Sequence, residues 1–259
     1  MNNFGGGFGG GINTRTVVIN LIIINALVYF ASVVFGNAGP GLSWLNYKFG
    51  LYLPNGANFA PYQLITHMFL HGGLMHIFFN MYALFLFGTV LERSWGPKRF
   101  LIFYLTCGFG AALIHLGVSY WEALSLKDEL LNAGLSSDFL AQIRDGVRNL
   151  SIPSNDPSVI DAARGYFGKY NYPTVGASGA VFGLLLGFGM LFPNSELYLL
   201  FFPFPIKAKY FVIGYGLIEL FSGVMNKPGD NVAHFAHLGG MIFGFILIKY
   251  WQKDRQNFY

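Results

Sequence analysis

The chain has 259 residues, 54% of them hydrophobic and 11% charged, with a net charge of +4. Soluble domains carry roughly 25% charged residues, so this composition excludes an ordinary soluble enzyme. The basic residues cluster beside the apolar runs, which fits charge flanking a membrane and argues against nucleic-acid binding.

Residues 1–15 read as a flexible Gly-rich tail built around Gly5-Gly6-Gly7-Phe8-Gly9-Gly10-Gly11, with no cleavable signal peptide standing out. Six apolar runs follow, at about 16–36, 73–91, 98–120, 174–192, 207–225 and 231–250. Each is close to the roughly 20 residues that cross a bilayer. Turn and charge signals separate them: Glu92 to Arg99, then Pro193-Asn194-Ser195-Glu196, then Asn226-Lys227-Pro228-Gly229-Asp230. With a cytoplasmic N-terminus, one side of the membrane holds Arg15, Arg93, Lys98, Arg99, Lys207, Lys209, Lys249, Lys253 and Arg255. The short loops opposite hold only Lys48 and Lys227. The expectation is an all-α membrane protein: a six-transmembrane-helix bundle over 16–251, N-in and C-in, with a cytoplasmic tail at 252–259.

Two loops on the non-cytoplasmic side are substantial. Residues 37–72 carry Trp44, Tyr47, Phe49, Tyr52, Phe59 and Tyr62, which suits the headgroup zone. Residues 121–172 form a polar extramembrane insertion between the third and fourth spans. Within it, 121–132 reads as a helix ending at Gly134. A second helical face runs through Leu140, Ile143, Val147 and Leu150 until Pro153-Ser154-Asn155-Asp156-Pro157 breaks it. A solvated cap on the membrane surface is the simplest reading. The single cysteine, Cys107, lies in an apolar run and excludes an internal disulfide.

Polar groups inside spans are costly and mark function by default. His76 and Asn80 fall in the first two turns of the second span, Ser178 near the start of the fourth, and His237 in the second turn of the sixth. All three spans start on the same side, so at 1.5 Å per residue the four lie within roughly 10 Å of the outer ends of their helices. They can meet in a single pocket open to water from outside. His76 and Asn80, four apart, share a helix face. Ala233, His237, Gly240 and Gly244 lie within about 60° of one another, a small-residue face suited to close helix packing. Gly179, Gly183 and Gly187 form a similar series, but on an ideal helix Ser178 points away from it. A non-helical start at Gly176-Ala177 would be needed to turn the hydroxyl.

Alone, Gly176-Ala177-Ser178-Gly179 is a weak signal, and Ala180 breaks the Gly-x-Ser-x-Gly elbow of soluble hydrolases. A zinc site built from His67, His71 and His76 lacks the His-Glu-x-x-His pattern and any nearby carboxylate, so no metal is expected. Glu219 either lines the pocket or pairs structurally with a neighbour; the second is simpler. His115 and His234 read as bystanders.

Taken together, His71-Gly72-Gly73-Leu74-Met75-His76-Ile77-Phe78-Phe79-Asn80, Gly176-Ala177-Ser178-Gly179 and Ala236-His237-Leu238-Gly239-Gly240 with Gly244 resemble the rhomboid intramembrane serine proteases. The resemblance covers roughly residues 60–251. It implies Ser178 as nucleophile and His237 as general base, with His76, Asn80 and the Ser178 backbone N–H binding the oxyanion. Gly176, Gly179 and Gly240 would support the site, and Phe182 would place a ring against the base. Departures are Tyr62-Gln63 where the family often has Trp-Arg, Glu92-Arg93-Ser94 in place of Glu-x-Arg, and the long insertion.

No acidic partner for His237 stands out, so the expectation is a Ser-His dyad without cofactor or metal. The implied function is an intramembrane serine endopeptidase that cleaves transmembrane helices of other membrane proteins, probing them from within the lipid bilayer. A bacterial inner membrane is the expected location. The rival is a non-catalytic rhomboid-like protein that binds transmembrane clients. A transporter or channel would call for internal repeats, and none is found.

Overall fold

The structure is a computed structural model, and it describes residues 16–39, 42–147, 150–198, 204–225 and 232–255. The expected tail at 1–15, the turn at 226–230 and the end of the C-terminal tail from 256 lie outside the described residues. The chain is mostly helical. Helix α1 (Val17–Val34) starts at Thr16, whose hydroxyl accepts the Ile19 N–H. A small hairpin of β1 (Asn37–Gly39) and β2 (Leu42–Ser43) leads to α2 (Trp44–Phe49), capped by the Ser43 hydroxyl. After α3 (Gln63–Thr66) and a 3₁₀ turn at His67–Phe69 comes α4 (Leu74–Trp95). Then follow α5 (Pro97–Asn132), α6 (Ser137–Arg144), α7 (Pro157–Asn171) and α8 (Ser178–Leu191). A two-stranded ribbon, β3 (Glu196–Leu197) with β4 (Ile206–Lys207), precedes α9 (Ala208–Met225) and α10 (His234–Arg255).

By length and apolarity, four described helices can cross a membrane: α1, α4, α5 and α9. That is two fewer than the six expected spans. Helix α8 is apolar but has 14 residues, about 21 Å against a hydrocarbon layer of about 30 Å. It has no need to match lipid, because α4, α5, α9 and α10 all pack around it and most of its side chains are buried. Helix α10 is long enough at 22 residues, but His234, His237 and Lys249 dilute its apolarity.

The sequence expectation divided α5 into a span and a separate helix at 121–132. The structure joins them in one helix of 36 residues, starting with Pro97 at its first position and ending before Gly134, whose φ is +91°. Val147 lies beyond the end of α6 and is exposed, whereas Leu140 and Ile143 are buried. Helix α7 was not expected at all. Asp156 caps it through the Ser158 N–H and Pro157 takes the first helical position, so one of the two prolines that seemed to break the pattern begins a helix.

The core has two parts. The larger runs between α1, α4, α5, α8 and α10 through Leu84, Leu91, Phe100, Phe103, Tyr104, Leu184 and Ile248. The smaller joins the end of α5 to α6, α7 and the first loop through Leu53, Leu130, Leu140, Ala163 and Tyr170. Residues 37–72 are thus fastened to α6 and α7, and the Leu51–Thr174 backbone bridge ties them to the approach to α8.

Two departures noted in the sequence have structural answers. Gln63 is fully buried; its carbonyl accepts the Tyr52 and Ala60 N–H groups and its amide donates to the Lys48 and Asn58 carbonyls, tying the first loop together. Glu92, in the last turn of α4, accepts the Val17 and Val18 N–H groups at 2.8 and 3.0 Å. A carboxylate there serves the otherwise unpaired donors that open α1.

Candidate active site

Helices α8 and α10 meet along a seam of glycines. A β-carbon on Gly240 would lie 1.8 Å from the Gly179 carbonyl oxygen, and one on Gly183 would lie 3.1 Å from the Gly240 carbonyl. Helix α5 closes the third side: β-carbons on Gly179 and Gly183 would strike Ala111 and Cys107. Backbones this close exist only where side chains are absent, the small-residue mode of packing in membranes.

The seam brings Ser178 and His237 together. Ser178 Oγ and His237 Nε2 are 2.9 Å apart. The turn before α8 aims the hydroxyl. Gly176 sits at φ +137°, its N–H donates to the His67 carbonyl, and Ser178 is the first helical residue after Ala177. A side chain at 176 would be strained and would also meet the His76 ring, because its β-carbon would lie 2.9 Å from Nε2. Of the Gly176-Ala177 pair only Gly176 departs from helical backbone, since Ala177 is already in the right-handed region at φ −74° and ψ −5°. At the N-terminus of α8 the Ser178 backbone N–H has no intrahelical acceptor. Phe182, one turn on, stacks on His237 with ring centroids 4.1 Å apart and planes 5° from parallel.

His76 is placed in the first turn of α4. Its Nδ1 accepts the Gly72 N–H at 3.3 Å, so its proton belongs on Nε2, the edge that faces Gly176. Asn80 lies one turn below on the same face and is buried. Its amide donates to the His76 carbonyl of its own helix at 2.8 Å. His71 packs edge-to-face on His76, ring centroids 5.1 Å apart. His67 hydrogen-bonds the Gln63 carbonyl and His115 the Thr174 hydroxyl. Burial away from water holds both His67 and His71 neutral, at about 4 and about 3 against an ordinary 6.5.

The expectation that His237 lacks an acidic partner fails. Glu219 of α9 is buried, and its Oε2 lies 2.9 Å from His237 Nδ1 and 2.6 Å from His234 Nδ1. An ionised carboxylate can only accept, so Nδ1–H of His237 donates to Glu219 and Nε2 is left to accept the Ser178 hydroxyl proton. Glu219 and His234 are the members that sequence reading misplaced. The signal available was an acid inside a span opposite a His-x-x-His pair on the next helix. Among the described residues, Glu219, His234 and His237 form the one group of three metal-ligating side chains whose ligand atoms converge, all within 4.8 Å. The series His67, His71 and His76 does not converge in this way.

Against known proteins, the family model for the Rhomboid domain matches residues 58–141 and 159–253. The gap, 142–158, falls within the stretch 121–172 expected from the sequence to be an insertion. The chain is 30% identical over 252 residues to "RHOMBOID-like protein 12, mitochondrial" of Arabidopsis thaliana, covering 96% of this chain and 62% of that protein. It is 26% identical to "Rhomboid-like protein 16, chloroplastic" of the same plant, over 93% of this chain and 63% of the relative. To the rhomboid protease AarA of Providencia stuartii it is 28% identical, over 89% of this chain and 70% of the relative. The chain thus spans a little under two thirds of the length of the plant relatives. With two of these three named for plant organelles, they give no support to a bacterial inner membrane in particular; what stands is an integral membrane protein.

Proposed function

We propose that this chain, which belongs to the rhomboid family, is a serine endopeptidase that cuts transmembrane segments of other membrane proteins. The observation that carries the reading is the 2.9 Å contact between Ser178 Oγ and His237 Nε2 at the glycine seam. It is also what disfavours the alternative of a non-catalytic client binder, for which no such pairing is needed.

In the proposed mechanism His237 takes the Ser178 proton as the hydroxyl attacks a peptide carbonyl, then returns it to the leaving amine. Glu219 holds His237 in the productive tautomer and balances its positive charge, so the unit is a triad in function rather than the expected dyad. His76 Nε2–H and the Ser178 N–H receive the oxyanion. Asn80 joins them once its amide leaves its own helix carbonyl. Each such donor is generally worth about 3–4 kcal/mol. Peptide bonds in an intact helix are shielded by their own hydrogen bonds, so the substrate has to unwind locally, and small or helix-breaking residues favour cleavage.

The proposed topology keeps both termini cytoplasmic, with α8 and α10 completing the bundle around the four long helices and the 121–172 insertion outside. The N-terminal ends of α4, α8 and α10, where His76, Ser178 and His237 meet, then face the non-cytoplasmic side. The expected outcome is that Ser178→Ala and His237→Ala each abolish cleavage of a single-span substrate by purified protein, with unchanged thermal unfolding. Full activity in both variants removes the protease reading.

A further inference from the structure

We propose that Glu219, His234 and His237 bind a zinc-class divalent cation, and that its binding silences Ser178 without unfolding the protein. The inference rests on the protease reading of Ser178 and His237 for its functional half; the binding half stands on the cluster alone.

The three side chains come from two facing helices. His234 and His237 are three apart at the start of α10, on one face, and Glu219 reaches across from α9. Both Nδ1 atoms already point at the same carboxylate oxygen, at 2.6 and 2.9 Å. Two imidazoles and one carboxylate, with a fourth position left for water, are a ligand set that zinc takes readily. At metal–ligand distances of about 2.0–2.1 Å a tetrahedral ion separates its ligands by about 3.3 Å. The carboxylate therefore has to withdraw by roughly half an ångström. Mg²⁺ and Ca²⁺ demand several oxygen ligands, and this cluster offers one carboxylate.

There is a way in. His234 lines a hollow of about 80 Å³ together with His115, Ser119, Ser222 and the Glu122–Lys169 ion pair. That volume admits several waters, so a hydrated ion can reach the cluster at His234, from a hollow that Ser178 does not line.

The chemistry at His237 then inverts. A cation takes the lone pair of His237 Nδ1, and the ring's one proton moves from Nδ1 to Nε2; no proton is gained or lost on that ring. His237 Nε2 now donates to Ser178 Oγ instead of accepting from it. The contact is preserved, but the lone pair that would remove the hydroxyl proton is gone, and Ser178 cannot be activated.

The test uses full-length protein in detergent freed of metal. Ser178→Ala, which leaves the cluster intact, is expected to take up one Zn²⁺ per chain in competition with a chromophoric chelator. Adding His234→Ala or Glu219→Gln is expected to weaken that uptake at least tenfold. In the parent, Zn²⁺ is expected to suppress fluorophosphonate labelling of Ser178, with recovery on adding chelator and no effect from Mg²⁺ or Ca²⁺. The His234→Ala chain, measured against its own metal-free rate, should need at least tenfold more Zn²⁺. Absence of saturable uptake by Ser178→Ala overturns the proposal, as does equal sensitivity of parent and His234→Ala. Uptake of one ion by a chain whose Ser178 never labels, even without metal, retains the cation site and overturns the protease reading.

Discussion

Substituting Gly240 tests whether the glycine seam sets the distance between Ser178 and His237. A β-carbon at 240 would stand 1.8 Å from the Gly179 carbonyl oxygen, where an ordinary carbon–oxygen contact needs about 3.3 Å. The two backbones must therefore separate by about 1.5 Å. Gly179 adjoins Ser178, and Gly240 is one turn from His237. Transmitting even half of that separation stretches the 2.9 Å contact to about 3.6 Å, past the limit of a hydrogen bond. A misplacement of about 1 Å in a reacting pair costs on the order of a hundredfold. Gly240→Ala is thus expected to slow fluorophosphonate acylation of Ser178 by about that factor, with about 1–3 kcal/mol lost in unfolding free energy from overpacking. Two graded controls belong beside it. A β-carbon at Gly244 meets its nearest neighbour, Phe103, at 3.1 Å, and one at Gly214 meets nothing within 4 Å. The expected order of damage is Gly240, then Gly244, then Gly214. A Gly240→Ala protein that acylates within threefold of the parent refutes the reasoning.

Three further outcomes follow from the same geometry. Glu219→Gln keeps the shape but exchanges a charge-assisted hydrogen bond to His237 for a neutral one, a difference of about 1–1.5 kcal/mol, so acylation should fall about tenfold with substrate KM little changed; an equal rate would show that the carboxylate only fills space. Burial keeps His67 and His71 neutral in the fold while the unfolded chain takes up protons below about 6.5. Stability is therefore full above that pH and declines as pH falls toward 4, a slope visible in thermal midpoints and shallower in His67→Gln. Glu92→Ala leaves the Val17 and Val18 N–H groups without their partner and should cost about 1–3 kcal/mol of stability, with the Ser178 labelling rate unchanged.

Much of the arrangement could be read from residue order, because depth in a helix is counted along the chain. His76, Ser178 and His237 all sit near the N-terminal ends of their helices, and the structure brings those ends together. Rotation between helices is not countable in this way. Whether Glu219 faces His237 depends on how α9 turns against α10, a matter of interhelical packing that no periodicity within α9 encodes. Local chemistry misled at Pro157, which reads equally well as a helix stop or a first helical residue; the Asp156 cap decides it. The count of spans by length and apolarity stops at four among the described helices for a related reason. Hydropathy measures fitness for lipid, and α8 is wrapped by protein instead.

Helix α5 extends for 36 residues, about 54 Å, nearly twice the thickness of the hydrocarbon layer. One end holds the small core of α6 and α7; farther down, Ala111 and Cys107 abut the glycines of α8, and Gly110 and Ala111 abut Phe243 and Gly239 of α10. One unbroken helix thus carries both the α6–α7 cap at one end and, farther along, the glycine seam where hydroxyl and imidazole touch. Cap and catalytic contact share a single backbone.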